Sequence, residues 1–227
     1  MPRVPKSNRR RFKPRARAVN PRRRYRQRTT NVNRSLQPIP SRYICKMKYS
    51  TTISTDGSGQ YIFNLNSLYD PDRTGFGHQP YGFDNLALLY NRYRVISCGW
   101  RIQMPSISAG SPVLIAALPS NDASMTFADS SVIQENPRAK YILQNPGAPC
   151  VVLSGKSYLP ALMGRNKFQY MADDLYQSVV TTSPAELGLL YIAAFNAATG
   201  APYTATAMNV ILEYTCEWYD VKHIVQS

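Results

Sequence analysis

Two histidines, His78 and His223, are the only imidazoles in 227 residues, so a Ser-His-Asp or Cys-His relay would have to run through one of them. His78 sits in Gly75-Phe76-Gly77-His78-Gln79-Pro80, a stretch that spells a loop, and His223 follows the last strand pattern. Neither has a partner at a catalytic spacing, so both read as structural. Ser154-Gly155-Lys156-Ser157 has the tail of a phosphate-binding loop, but Cys150 stands where the first glycine is needed and the segment alternates like a strand. Gly75 and Gly77 fail a dinucleotide fingerprint because its third glycine position is Pro80. Asp70-Pro71-Asp72 and Asp173-Asp174 are adjacent carboxylates in loops, and Asp-Pro is first a turn former. A calcium ion at an assembly interface stays open for them. The four cysteines, Cys45, Cys98, Cys150 and Cys216, lie more than 50 residues apart, which excludes CxxC metal and redox pairs. They read as buried free thiols. These residues predict a protein that is no enzyme and holds neither a cofactor nor a resident metal.

The chemistry that the sequence does carry is ionic. Of 27 Lys and Arg against 13 Asp and Glu, fourteen basic residues and no acidic one fall in residues 1–40. They are Arg3, Lys6, Arg9, Arg10, Arg11, Lys13, Arg15, Arg17, Arg22, Arg23, Arg24, Arg26, Arg28 and Arg34. The net charge of +14 therefore belongs to this arm, and residues 41–227 balance at 13 of each sign. Low hydrophobicity, like charge and six prolines predict an arm that is disordered when unbound. Extended, it would reach about 130 Å. Arg outnumbers Lys twelve to two, and guanidinium forks match phosphate bidentately and stack on bases. The arm is thus assigned to nucleic acid, with nuclear import as a compatible second use and a merely solvated tail as the bland alternative.

These side chains need a scaffold, and alternation supplies most of it. Tyr43, Cys45, Met47, Tyr49, Thr51 and Ile53 alternate with Lys46, Lys48, Ser50 and Thr52. Met208, Val210, Leu212, Tyr214, Cys216 and Trp218 form the longest such pattern, and Ile96, Cys98, Trp100, Ile102 and Met104 a third. Further strands are expected at 60–65, 112–119, 141–144, 149–159, 167–171 and 187–196. Asp84 is expected to cap a helix running to about Asn91, and Asp129 another that stops before Pro137. About eight strands joined by Pro- and Gly-containing loops, without internal repeats, predict an all-β chain with one sandwich or jelly roll over 41–227. The longest apolar runs, at 113–118 and 187–195, are far short of the roughly 20 residues of a spanning helix, and the basic start does not fit a secretory signal. No membrane partner is expected.

A second basic surface is expected on the body if the first strand and the strand of Trp100 share a sheet, since Arg42, Lys46, Lys48 and Arg101 lie on their polar faces. Glu213 and Glu217 lie on the polar face of the last strand, and cross-strand pairing would neutralise that surface. Sixteen tyrosines, two of them (Tyr69 and Tyr81) in the loop 67–82, tilt the reading toward self-association.

The stretch Leu68-Tyr69-Asp70-Pro71-Asp72, then Gly77-His78-Gln79-Pro80-Tyr81-Gly82-Phe83-Asp84, then Leu89-Tyr90-Asn91-Arg92-Tyr93-Arg94-Val95, resembles the capsid proteins of small circular single-stranded DNA viruses of the circovirus-like, Rep-encoding group. The motif covers about 30 residues, while the layout of basic arm, body and long last strand covers most of the chain. The resemblance implies a single eight-stranded jelly roll, strands B to I, with 43–53, 94–104 and 207–221 as B, D and I of one sheet. It implies sixty copies closing a T=1 icosahedral shell, the arm residues on the genome and on a host import receptor, and a virion protein that passes through the host nucleus during assembly. It gives the 79–84 turn a structural role only. Sixty arms would bring about 840 positive charges to a polyanion. Satellite RNA virus coats share the layout, so an RNA genome stays open beside DNA. Outside that class stand a non-viral β-rich nucleic-acid chaperone and, more remotely, a secreted trimeric jelly-roll ligand.

If half of the arm's charges contact phosphates, affinity for a single strand should fall with added salt at a log–log slope of about −5, whatever the base sequence. Filter binding across salt concentrations measures it, and a shallow or sequence-dependent slope contradicts it.

Overall fold

A computed structural model describes residues 39–108, 110–204 and 206–223; the fourteen basic residues of the arm lie outside this range. In chain order the elements are β1 (Arg42–Ser54), β2 (Gln60–Asn64), α1 (Phe83–Ala87), β3 (Tyr90–Met104), β4 (Val113–Ser120), α2 (Ser130–Gln134), β5 (Lys140–Gln144), β6 (Val151–Tyr158), α3 (Leu159–Leu162), α4 (Lys167–Ala172), β7 (Gln177–Val179), β8 (Leu189–Asn196) and β9 (Ala207–Val221). One sheet runs β1-β9-β3-β6, with β7 added to β3, and the other runs β2-β8-β4-β5. Pairing within both sheets is antiparallel. The first strand lies beside the last, and the chain crosses between sheets so that the strands close two Greek keys. That order defines a jelly roll. Among the described residues it has eight strands of five residues or more plus the three-residue β7, and it puts the expected B, D and I strands in one sheet.

Alternation does the positioning in the first sheet. On β9, Met208, Val210, Leu212, Tyr214, Cys216 and Trp218 are buried, while the intervening residues look toward the other face. Trp218 is the hub under this sheet, with Phe83, Tyr93 and Tyr90 at ring-centroid distances of 5.4, 5.7 and 6.3 Å. Such offset aromatic contacts add about 0.5–1.5 kcal/mol each beyond area burial. The Tyr214 hydroxyl, fully buried, donates 2.7 Å to the Asn64 carbonyl and ties the two sheets together. β4 and β8 are apolar on both faces because both are covered: the outer side packs under the 121–139 connection through Phe127 and Ile133.

Five expectations need correction. Residues 167–171 form α4, not a strand: the Asn166 side chain accepts from the Gln169 amide at 2.9 Å and the Gln169 side chain accepts from the Asn166 amide at 3.1 Å. That capping box starts a helix despite the alternating aromatics Phe168 and Tyr170. Asp84 does not cap α1, whose N-cap is Gly82 at φ 83°, and the helix stops at Ala87, leaving Leu88 and Leu89 exposed. Tyr90 belongs to β3, which begins four residues before the expected start at Arg94. A bulge between Val95 and Ser97 then shifts the face, so Val95 enters the core in place of Ile96. Asp129 does cap α2, accepting from the Ser131 and Val132 amides. Of the four cysteines, Cys98 and Cys216 are buried, Cys45 half-buried and Cys150 exposed, so the expected burial fails at Cys150.

Gly155 on β6 faces Trp100 on β3, and a Cβ there would come within 2.2 Å of the indole, whereas one at Gly99 would meet nothing nearer than 3.8 Å. Gly155→Ala should therefore cost about 1–3 kcal/mol and Gly99→Ala well under that. Urea unfolding of the two variants compares them, and equal losses would contradict the packing described.

Candidate nucleic-acid interface

The solvent face of the β1-β9-β3-β6 sheet collects the expected body residues. In register, Lys48 of β1 lies opposite Glu213 of β9, which lies opposite Gly99 of β3, which lies opposite Lys156 of β6. Arg101 follows two residues along β3, opposite Ile211 and Ser154. The sheet thus brings Arg42, Lys46, Lys48 and Arg101 to one wall. It adds Lys156, which the sequence reading weighed only as part of a failed phosphate loop; the alternation of Val152, Ser154, Lys156 and Tyr158 against Leu153 and Ser157 was the signal for it.

Neutralisation is present as well. Glu213 Oε1 receives Lys46 Nζ at 2.7 Å, and Glu213 Oε2 lies 3.7 Å from Lys48 Nζ. Arg42 Nη1 is 3.4 Å from Glu217, which is almost wholly buried. The hydrogen bond from Lys46, and then the field of both lysines, holds the Glu213 carboxyl below its usual range against a smaller desolvation penalty. Arg101 and Lys156 have no ion pair of this kind among the described residues. Arg101 lines a depression of about 330 Å³ together with Lys48, Gly99, Ile211 and Glu213, and Lys156 stands opposite Gly99 in the ladder. The depression exists because Gly99 carries no side chain at the centre of the wall. A phosphate could meet Arg101 there while a base covers Ile211.

Farther along β3 the same face is closed. Arg94 is buried with its Nη2 donating to Gln177 Oε1 at 2.9 Å, and its guanidinium lies 5.3 Å from the Tyr219 ring centroid. Arg94 is thus a structural cation that docks β7 and α4.

The other candidates are used up in local structure. Asp72 accepts from the Tyr61 hydroxyl at 2.7 Å and from the Thr74 amide at 3.0 Å, and burial followed by the Asp72 contact pushes the Tyr61 phenol up to about 12. Asp173 accepts from the Leu175 amide and caps a 3-10 turn. His78 bonds the Gln79 and Ser50 carbonyl oxygens, and its ring lies tilted against Tyr49 with centroids 4.6 Å apart. Ser154-Gly155-Lys156-Ser157 is strand. Among the described residues no three His, Cys, Asp or Glu side chains cluster as a metal would need, and no helix is long and apolar enough to cross a membrane.

The molecule is therefore a jelly-roll β-sandwich with one bare wall of mixed charge, basic in excess. No protein-family model matches the chain, and no curated protein matches it. Solved structures with a similar course include a chain of Desmodium yellow mottle tymovirus (12% identity, 87% of this chain and 100% of that one, TM-score 0.44). A chain from the semi-empty virus-like particle of the nodavirus of the giant freshwater prawn Macrobrachium rosenbergii is 10% identical, over 85% of this chain and 100% of that one, TM-score 0.47. A nora virus chain is 12% identical, over 83% of this chain and 64% of that one, TM-score 0.48. At these scores the similarity stands beside the strand order, which makes the fold assignment by itself.

Glu213→Gln removes the acid that holds two lysines and should strengthen binding of single-stranded oligonucleotides. Arg101→Ala with Lys156→Ala should lower the salt slope by about 0.7 per lost phosphate contact. Because the Glu213 carboxyl titrates lower folded than unfolded, its contribution to stability is present at neutral pH and is lost as pH falls below about 4. Wild type should lose more stability than Glu213→Gln over that interval, and parallel curves would contradict the pairing.

Proposed function

We propose that this chain is a viral coat protein: copies of the jelly roll pack into a shell, and residues 1–40 hold a single-stranded nucleic-acid genome. The observation that carries this reading is the separation of charge within the chain. All of the net +14 precedes β1, while the body has equal numbers of each sign. Bodies without net charge can pack against one another without mutual repulsion while their arms gather on a polyanion. The basic residues of the arm, from Arg3 to Arg34, bind phosphate without reading sequence. On the body, Arg101 and Lys156 extend that contact, with Arg42, Lys46 and Lys48 held in reserve by Glu217 and Glu213.

The motif resemblance favours a circular single-stranded DNA genome, a T=1 shell of sixty copies and a nuclear stage served by the same arm. The protein has no catalytic part in this scheme. Exposed Phe76 and Tyr81, on the loop between β2 and β3, supply large apolar area for contacts between copies.

The full chain and a version lacking residues 1–40 should differ in what they assemble. The full chain should give uniform spherical particles with a raised 260/280 nm absorbance ratio and nuclease-protected nucleic acid, and the shortened chain empty particles or none. Digestion of the released nucleic acid by DNase or RNase separates DNA from RNA. A monomer that binds duplex DNA with sequence preference would sink the coat-protein reading.

A further inference from the structure

Cys45 and Cys216 are directly opposite one another in the β1–β9 ladder, 171 residues apart in sequence. Their sulfurs lie 3.6 Å apart on the core side of the sheet. Directly opposed residues of an antiparallel pair have Cα atoms about 4.5–5.5 Å apart, within the span a disulfide needs. Side-chain rotation can bring these sulfurs to bonding distance without moving the strands. The two thiols are also unequally placed: β1 is a sheet edge, so Cys45 is half-buried and reachable, whereas Cys216 is fully buried in the central strand.

We propose that Cys45 and Cys216 are a reversible disulfide site, a covalent clip between the first and last strands that is open in reducing surroundings and closed in oxidising ones. The inequality of the two sulfurs sets the order of events. The contact between the two thiols lowers the Cys45 thiol from its ordinary range, while the same contact and burial push Cys216 up. Cys45 is accordingly the attacking sulfur. With a small-molecule disulfide such as oxidised glutathione, the Cys45 thiolate attacks one sulfur of the oxidant. A mixed disulfide forms, the glutathione S–S bond breaks and one glutathione leaves. Cys216 then attacks the Cys45 sulfur, breaking the mixed disulfide and releasing the second glutathione. Two electrons pass from the protein thiols to the oxidant, and the two thiol protons end on the two glutathiones.

The other cysteines frame the site. Cys98 is buried on β3, where desolvation holds its thiol well above its ordinary range, and Cys150 is exposed between β5 and β6. Cys150 can link separate chains, and Cys150→Ser removes that side reaction.

The full chain, incubated with oxidised glutathione, quenched by alkylation under denaturing conditions and digested, provides the test. The expected result is a Cys45–Cys216 linked peptide with Cys98 alkylated, and restoration of both free thiols by dithiothreitol. The oxidised Cys150→Ser protein should melt about 5 °C or more above its reduced form, because the clip closes a long loop in the unfolded chain. Alkylation of all four cysteines after oxidation overturns the proposal, as does a lasting glutathione adduct on Cys45 with Cys216 still free. These readouts are intramolecular, so they stand or fall separately from shell assembly and nucleic-acid binding.

Discussion

The pairing of β9 with both β1 and β3 is the constraint on which the structure depends. β9 is the middle strand of the bare sheet, it carries Trp218 and Tyr214 into the core, and it supplies both glutamates of the wall. Its partners lie more than a hundred residues upstream, so the ladder can close only after the long intervening chain has been brought together, an entropic cost paid before its contacts form. Thirteen paired positions to β1 and a nearly continuous run to β3 are what offset that cost. The second sheet has no comparable dependence on one strand, since β8 and β4 bury both faces under separate covers.

The same strand decides the electrostatics. Glu213 stands in the row between Lys48 and Lys156, so the wall is a lattice of alternating sign with surplus cations at Arg101 and Lys156. Exposed pairs of this kind contribute little to stability, roughly 0–1 kcal/mol each. Their effect is on the local field: any anion meeting this face would have to compete with Glu213 for Lys46 and Lys48, whereas Arg101 and Lys156 have no ion pair among the described residues. The wall is a weak, adjustable surface, whereas the net charge of the chain lies in residues 1–40.

Much of the fold was legible because a half-buried strand writes its environment into every second residue. β1, β9 and most of β3 followed from that, and the doubly covered β4 and β8 from their unbroken apolar runs. Alternation misled at 167–171, where Phe168 and Tyr170 look like a strand face and only the Asn166–Gln169 capping box tells otherwise. It could not reveal the bulge after Val95, which depends on the pairing partner rather than on local composition. The wall was half legible: four of its cations follow from strand polarity, but Lys156 and the pairing of each glutamate require the register. The opposition of Cys45 and Cys216 belongs to the same class of fact.

The connection 121–139, laid over β4 and β8, has a consequence for how the sequence can drift. Positions along those two strands, such as Ala116, Ala193 and Phe195, are enclosed from both sides and have almost no freedom in size or polarity. Away from buried Arg94 and Glu217, the bare sheet is enclosed from one side only, so its outward residues there can be exchanged at small cost. Lineages descended from this chain would keep the padded sheet almost letter for letter in character and rewrite the open wall, so that divergence would be recorded mainly on one face of the molecule.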